Sequence, residues 1–301
     1  MRKAFIQLHI AVLLAGLTGV LGRLITLNEG LLVWYRMLFS SIALWVLFAF
    51  TKKLKRLAVK DILTIIAAGA VVALHWVAFY GSIKYSNVSV SLVCFSAIGF
   101  FTAIFEPMIV GTPFKRSEIL LGLLVIAGIA LIFHFDTQYK TGIIIGLISA
   151  VLGSLFPVMN RKLLQRFDPE TVTLYEITGG FLFLSAVMPL YLLYVPASHV
   201  VPTLNDTLWL LVLSLLCTVL AFNLSMKALK KISAFTVNLT YNLEPLYGIA
   251  LAFVLYREDK LLTRNFYIGM LLIAISVIWQ TWLVYRWHTN TKKVAVTPMQ
   301  Q

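Results

Sequence analysis

Ten apolar runs of membrane-crossing length, joined by connectors too short to fold alone, leave this chain few architectures. They cover residues 4–21, 31–50, 62–80, 88–110, 119–133, 142–159, 171–194, 208–226, 234–256 and 266–287. A bilayer core about 30 Å thick takes about 20 apolar residues per helix. Backbone immersed in lipid must bond to itself. The reading is an all-α integral membrane protein with ten transmembrane helices. Composition agrees, with 60% hydrophobic and 12% charged residues, against about 45–50% and about 25% in soluble domains. The first run resembles a signal peptide, with MRK before it, but the repeat described below requires it as a span.

The formal charge of +13 is explained by where the cations sit. With the N-terminus inside, the inner connectors and tails carry eighteen Lys and Arg and the outer connectors six, with Arg36 left inside a span. Short basic loops mark the cytoplasmic side, so both termini are expected there. No basic groove interleaved with aromatics appears, so nucleic acid is not an expected partner. Cys94 and Cys217 lie within apolar runs and form neither a disulfide framework nor a metal cluster.

Shifting the chain on itself by 147 residues aligns 74–132 with 221–279 without a gap. It pairs Lys84 with Lys231, Ser86 with Ser233, Val90 with Val237, and Gly122 with Gly269. Leu124, Ile126 and Ala127 likewise meet Leu271, Ile273 and Ala274. A shift near 140 places the second run on the seventh. Each half then holds five spans, 1–135 and 141–290, with a cytoplasmic tail at 291–301. Five is odd, so the halves cross the membrane in opposite senses. Inverted repeats of this kind are a signature of secondary transporters, with the ligand near the midplane.

The segment LAFNLSMKALKKISAFTVNLTYNLEPLYGIALAFVLYRE, residues 220–258, and YIGMLLIAISVIWQ, residues 267–280, resemble the EamA-type branch of the drug/metabolite transporter superfamily. The matching pattern is an Ala-Leu-Lys turn at Ala228, Leu229 and Lys230, then Leu243 and Pro245, an acidic end at Glu258, and Gly269 leading the last helix. In the first half Ile98 stands for the proline and Gly111 for the acid, so the halves are expected to be functionally unequal. The resemblance implies a ten-helix carrier of small metabolites, amino acids among them, in a bacterial inner membrane.

Several polar residues inside the spans are candidates for substrate binding. Arg36 is costly in a helix unless it faces the bundle interior or snorkels to water; the resemblance favours the interior. Glu176 holds the equivalent place in the seventh run, about 15 Å from Arg36 in depth by inversion symmetry, too far for a direct ion pair. Glu244 sits at the midplane before Pro245. Asn238, Tyr241, Asn242 and Pro245 share one face by i, i+3, i+4, i+7 spacing. His75 and Trp76 occupy the middle of the third run, and Asn223 matches Trp76 in the eighth. For these residues cavity lining and plain interhelical hydrogen bonding are both open. Glu106 is read as reaching water near the inner end of the fourth run.

No Walker-type phosphate loop is present, and no cofactor is expected. A secondary transporter working by alternating access is therefore the leading expectation, with a coupling proton or ion as a further partner. An integral-membrane enzyme is the rival class, but His9, His75, His134, His199 and His288 are scattered without metal-ligand spacing. A channel would want a repeated ring of polar groups, which the Ile98/Pro245 mismatch breaks. Monomer and homodimer are both compatible with the sequence.

Overall fold

A computed structural model of the chain describes residues 2–51, 55–135, 137–241, 243–276, 278, 279 and 282. Asn242 and the expected tail at 291–301 lie outside the described residues. The helices are α1 (Arg2–Leu24), α2 (Glu29–Phe50), α3 (Val59–Tyr85), α4 (Val88–Phe95), α5 (Ile98–Val110), α6 (Arg116–Phe135), α7 (Lys140–Leu163) and α8 (Pro169–Tyr194). They continue as α9 (Leu204–Ser214), α10 (Ala221–Leu229), α11 (Ala234–Tyr241), α12 (Glu244–Tyr256) and α13 (Arg264–Ser276). No strand occurs among the described residues. Eight runs are long and apolar enough to cross a membrane: α1, α2, α3, α4–α5, α6, α7, α8 and α9–α10. The apolar helices α12 and α13 are shorter.

Local chemistry explains where the helices start. Asn28 accepts from the amide of Leu31 at 2.9 Å and opens α2. Asp168, followed by Pro169 at the first turn, accepts from Thr171 at 3.0 Å and opens α8. Burial alone would raise the Asp168 carboxyl. Hydrogen bonds from Lys55 and from Thr171 outweigh that and hold it below the usual carboxylate range. Thr203 and Asp206 form a capping box on α9, the reciprocal pairing that satisfies two free amides at once. Large apolar side chains such as Leu123, Ile148, Leu182, Leu215 and Val254 face outward, as a lipid-solvated surface requires.

Small residues set the close approaches inside. A Cβ on Gly69 of α3 would lie 2.2 Å from the Glu176 carbonyl oxygen of α8, so the two backbones touch. Gly142, Gly146 and Gly153 give α7 a bare face that packs on Ser86, Cys94 and His75, the small-residue contact that membrane helices favour.

Three helices are interrupted. Between α9 and α10, residues 215–220 form a π-helical turn, and the Thr218 hydroxyl bonds the Leu213 carbonyl at 3.0 Å. The run 234–256 breaks between α11 and α12 just ahead of Pro245, which cannot donate a backbone bond. The run 88–110 breaks at Ser96–Ala97 with no proline nearby. There the amides of Ser96 and Ala97 turn to Val93 and Cys94, each at 3.1 Å. The two breaks are 146 residues apart, within one residue of the repeat shift, and the first forms without the proline of the second.

Carboxylates tie the broken helices to each other. Glu258 is fully buried and accepts from the amides of Val88 (3.1 Å) and Ser89 (2.9 Å), the Ser89 hydroxyl (2.6 Å) and Arg23. It therefore caps α4. Arg257, at φ 53°, reverses the chain after α12 and presents Glu258 to that helix. At the other end Glu106 of α5 accepts from the amides of Ala234 (3.1 Å) and Phe235 (2.6 Å) and caps α11. Each broken helix thus carries the cap of the other, and the two run antiparallel. This corrects the sequence reading of Glu106: it is buried and does not reach water. The acid that Gly111 lacks is supplied five residues earlier, by Glu106.

Removing a buried charged acceptor leaves amides unsatisfied, at about 1.5–3 kcal/mol for each bond to a charged group. Glu106→Ala and Glu258→Ala should both lower the unfolding temperature in detergent. Glu258→Ala should lower it more, because Arg23 also loses its partner. Equal or negligible shifts would show that water replaces the caps.

Candidate functional site

The helix interruptions surround one cavity at the centre of the bundle. Its wall includes Thr18 of α1, Arg36 of α2, His75 and Trp76 of α3, Asn160 of α7, Ser225 of α10, Asn238 and Tyr241 of α11, and Glu244 of α12. Its apolar lining includes four aromatic rings, Phe79, Phe95, Phe156 and Phe222, beside aliphatic residues such as Ile98, Met226 and Leu229. The His75 ring stacks on Phe95 with centroids 5.4 Å apart, and Phe156 stacks on Phe222 at 6.1 Å.

Arg36 is 2% exposed and does not snorkel. Nε donates to the Thr218 hydroxyl at 2.7 Å, Nη1 to the Tyr80 hydroxyl at 2.9 Å, and Nη2 to the Cys217 carbonyl at 3.3 Å. The guanidinium carbon lies 3.7 Å from the Trp76 ring centroid, a cation–π contact. The π-helical turn is what frees this anchor, since its wider ring presents Cys217 and Thr218 to α2. Ser40 and Ser214 reinforce the seam through the Arg36 carbonyl at 2.7 and 3.1 Å. A guanidinium has five N–H donors, and three serve these bonds. Every partner is neutral, so the cation meets no carboxylate within salt-bridge distance among the described residues.

Glu244 presents the complementary case. It is 5% exposed, lines the cavity, and makes no hydrogen bond or salt bridge with any described residue. A guanidinium and a carboxyl group therefore face one cavity without direct contact.

The other predicted residues divide into wall and scaffold. His75 sets Nδ1 against the Ser149 carbonyl at 2.9 Å and its hydroxyl at 3.0 Å, leaving Nε2 unpartnered among the described residues. Trp76 is the platform under Arg36. Asn238 donates to the Thr102 hydroxyl at 2.7 Å, tying α11 to α5 at the cavity edge. Tyr241 lines the cavity. Glu176 and Asn223 do not line it. Glu176 is fully buried behind the wall and accepts from Asn160 Nδ2 at 2.9 and 3.1 Å. Arg36 and Glu176 share no ion pair.

Sequence reading missed Thr18, Tyr80, Asn160, Ser225 and the pair Cys217–Thr218. One signal was present: Ser214, Cys217 and Thr218 fall at i, i+3, i+4 in the eighth run, a polar stripe on a membrane helix. Among the described residues no group of three His, Cys, Asp or Glu is placed to hold a metal ion.

A helical membrane protein with broken helices around a polar central cavity belongs with solute-handling membrane proteins. The chain belongs to the EamA-like transporter family, whose model matches it twice, over residues 2–134 and 140–282. It is a multi-pass membrane protein. An "uncharacterized transporter" of Archaeoglobus fulgidus is 25% identical over 201 residues, 65% of this chain and 68% of that protein. Another of Haemophilus influenzae is 24% identical over 162 residues, covering 51% of this chain and 53% of its own length. A solved crystal structure superposes with a TM-score of 0.65 at 15% identity, covering 95% of this chain and 99% of that one. At that identity the likeness concerns the fold alone.

Lysine cannot reproduce the planar fork that meets Thr218, Tyr80 and Cys217 while stacking on Trp76. Arg36→Lys should cost about 1.5–3 kcal/mol of stability, read as a lowered unfolding temperature in detergent. A variant as stable as the native protein would mean that charge alone anchors α2 to the π-helical turn.

Proposed function

We propose that this protein is a secondary carrier of small zwitterionic metabolites, neutral α-amino acids being the first chemistry to test. The supporting observation is the separated charge pair: Arg36 keeps unused N–H donors, Glu244 is unpartnered, and both line one cavity. A carboxylate on Arg36 and an ammonium on Glu244 would compensate both at once, with an apolar side chain among Phe79, Phe95, Phe156 and Phe222. Buried polar groups left without partners are the features that give a site selectivity for the ligand that completes them. Unwound helix breaks at the centre of a membrane protein are tolerated where they line a cavity.

The mechanism we infer is alternating access. In this reading α11–α12 and α13 are the ninth and tenth spans, and two inverted five-helix halves rock about the cavity. The reciprocal caps from Glu106 and Glu258 suit such a motion, because each half grips the other's broken helix at one end. The basic connectors support a reading with both termini on the cytoplasmic side, the membrane being a bacterial inner membrane.

Counterflow in proteoliposomes tests the carrier. Vesicles preloaded with L-leucine or L-phenylalanine should accumulate the labelled form, and Glu244→Gln should reduce the rate at least tenfold without loss of folded protein. Gln keeps the size and hydrogen bonding but cannot ionise. A native rate in the Gln variant would remove the charge of Glu244 from the mechanism. Flux without counterflow would indicate a channel.

Topology is tested separately by single cysteines in a background lacking Cys94 and Cys217. Lys231→Cys should react with an impermeant thiol reagent only from the cytoplasm, and His199→Cys only from outside. Labelling of position 231 from outside would overturn the inverted-repeat reading.

A further inference from the structure

Glu176 is a buried carboxyl group that the solute site does not use. It is fully enclosed, and its two oxygens share one donor, Asn160 Nδ2, at 2.9 and 3.1 Å. Gly69 seals the backbone side of this part of α8. Electrical neutrality at such a place requires one positive charge, since an uncompensated buried carboxylate is strongly unfavourable.

Among the described residues, the surrounding elements do not supply that charge within salt-bridge distance. Arg36 of α2 is held by Thr218, Tyr80 and Cys217. On α3, His75 is held by Ser149 and Asp61 pairs with Arg166. Arg161 of α7 donates to the Leu229 carbonyl. Lys227 of α10 pairs with Glu170 at 3.1 Å.

Two orphaned oxygens accompany the carboxyl. Asn160 Oδ1 and Thr173 Oγ1 are buried with no hydrogen-bond partner among the described residues. Thr173 precedes Glu176 by three residues, on the same helix face. Asn160 both holds Glu176 and lines the solute cavity. A buried place with a carboxyl group, spare oxygen lone pairs and one missing positive charge is suited to a small monovalent cation. Ionisable groups inside membrane helices commonly serve such pathways.

We propose that Glu176, Asn160 and Thr173 form the binding site of a coupling monovalent cation, a proton or Na⁺, behind the solute cavity and joined to it by Asn160. The coupling role rests on the carrier reading given above. A bound proton sits on one Glu176 oxygen and donates to Asn160 Oδ1 once that amide reverses, which uses the orphaned oxygen. Its release returns the carboxylate to the Asn160 N–H. Either change alters a residue of the cavity wall, so cation and solute occupancy are linked.

Infrared difference spectra of the purified protein, native against Glu176→Gln, test occupancy without any solute. A protonated-carboxyl band lost in the variant supports a bound proton. A Glu176 carboxylate band that moves when Na⁺ replaces K⁺ supports Na⁺. A carboxylate band indifferent to both ions overturns the site. Should Glu176→Gln fold poorly, Asn160→Leu keeps the carboxyl, and the same band must move if Asn160 holds it.

Coupling is read in phosphatidylethanolamine–phosphatidylglycerol proteoliposomes containing a pH dye, or a Na⁺ dye where the spectra indicate Na⁺. L-leucine movement by native protein should carry the cation with it, and Glu176→Gln should abolish that signal. Leucine transport with no cation movement in native protein would overturn coupling. Absence of leucine transport would count against the solute reading, while the infrared result still decides whether the cation site exists.

Discussion

Four backbone N–H groups at every helix start lack an internal partner, and in a membrane interior no water replaces it. The ends of α4 and α11 pose this problem within the protein. Asn87 accepts from Val90 at 2.8 Å and Ser233 from Thr236 at 3.1 Å, which satisfies the third amide of each helix. The first two amides are met from the other half of the chain, by Glu258 for α4 and Glu106 for α11. The rest of the core is arranged around this exchange. It holds two broken helices antiparallel, and their interruptions then fall beside the central cavity.

The cavity gains its chemistry from backbone irregularity as much as from side chains. The π-helical turn at 215–220 turns Cys217 and Thr218 toward α2, and Arg36 uses both. The break before Pro245 starts α12 at Glu244, so the carboxylate stands at a helix N-terminus. A helix N-terminus favours negative charge, which suits an acidic side chain at this place. Arg36 and Glu244 are thus each positioned by the scaffold, with no salt bridge or hydrogen bond between them.

Much of this was legible in the sequence. Hydropathy marked the runs, because lipid tolerates so few alternatives. The shift of 147 residues placed Ser96–Ala97 opposite Leu243–Glu244, one residue beyond the break between Tyr241 and Glu244. Arg36, His75, Trp76, Asn238, Tyr241 and Glu244 stood out as polar or aromatic groups at costly positions, and all six line the cavity. The misses have physical reasons. The break at Ser96–Ala97 has no proline to announce it. The π-helical turn inserts one residue into a regular repeat, which periodicity cannot register. Glu106 was misread because its amide partners are 128 and 129 residues away, and a single chain read locally does not show them. Glu176 matched Arg36 by symmetry, yet Asn160 stands between it and the cavity.

The central claim is that one zwitterion completes Arg36 and Glu244 together. An experimental structure of the protein with bound L-leucine or L-phenylalanine tests it most directly. The account predicts ligand density in the central cavity, with its carboxylate at the Arg36 guanidinium and its ammonium at the Glu244 carboxylate. Density confined to the apolar groove beside Pro245, Phe253 and Met270, or a direct Arg36–Glu244 contact with the cavity empty, would contradict it.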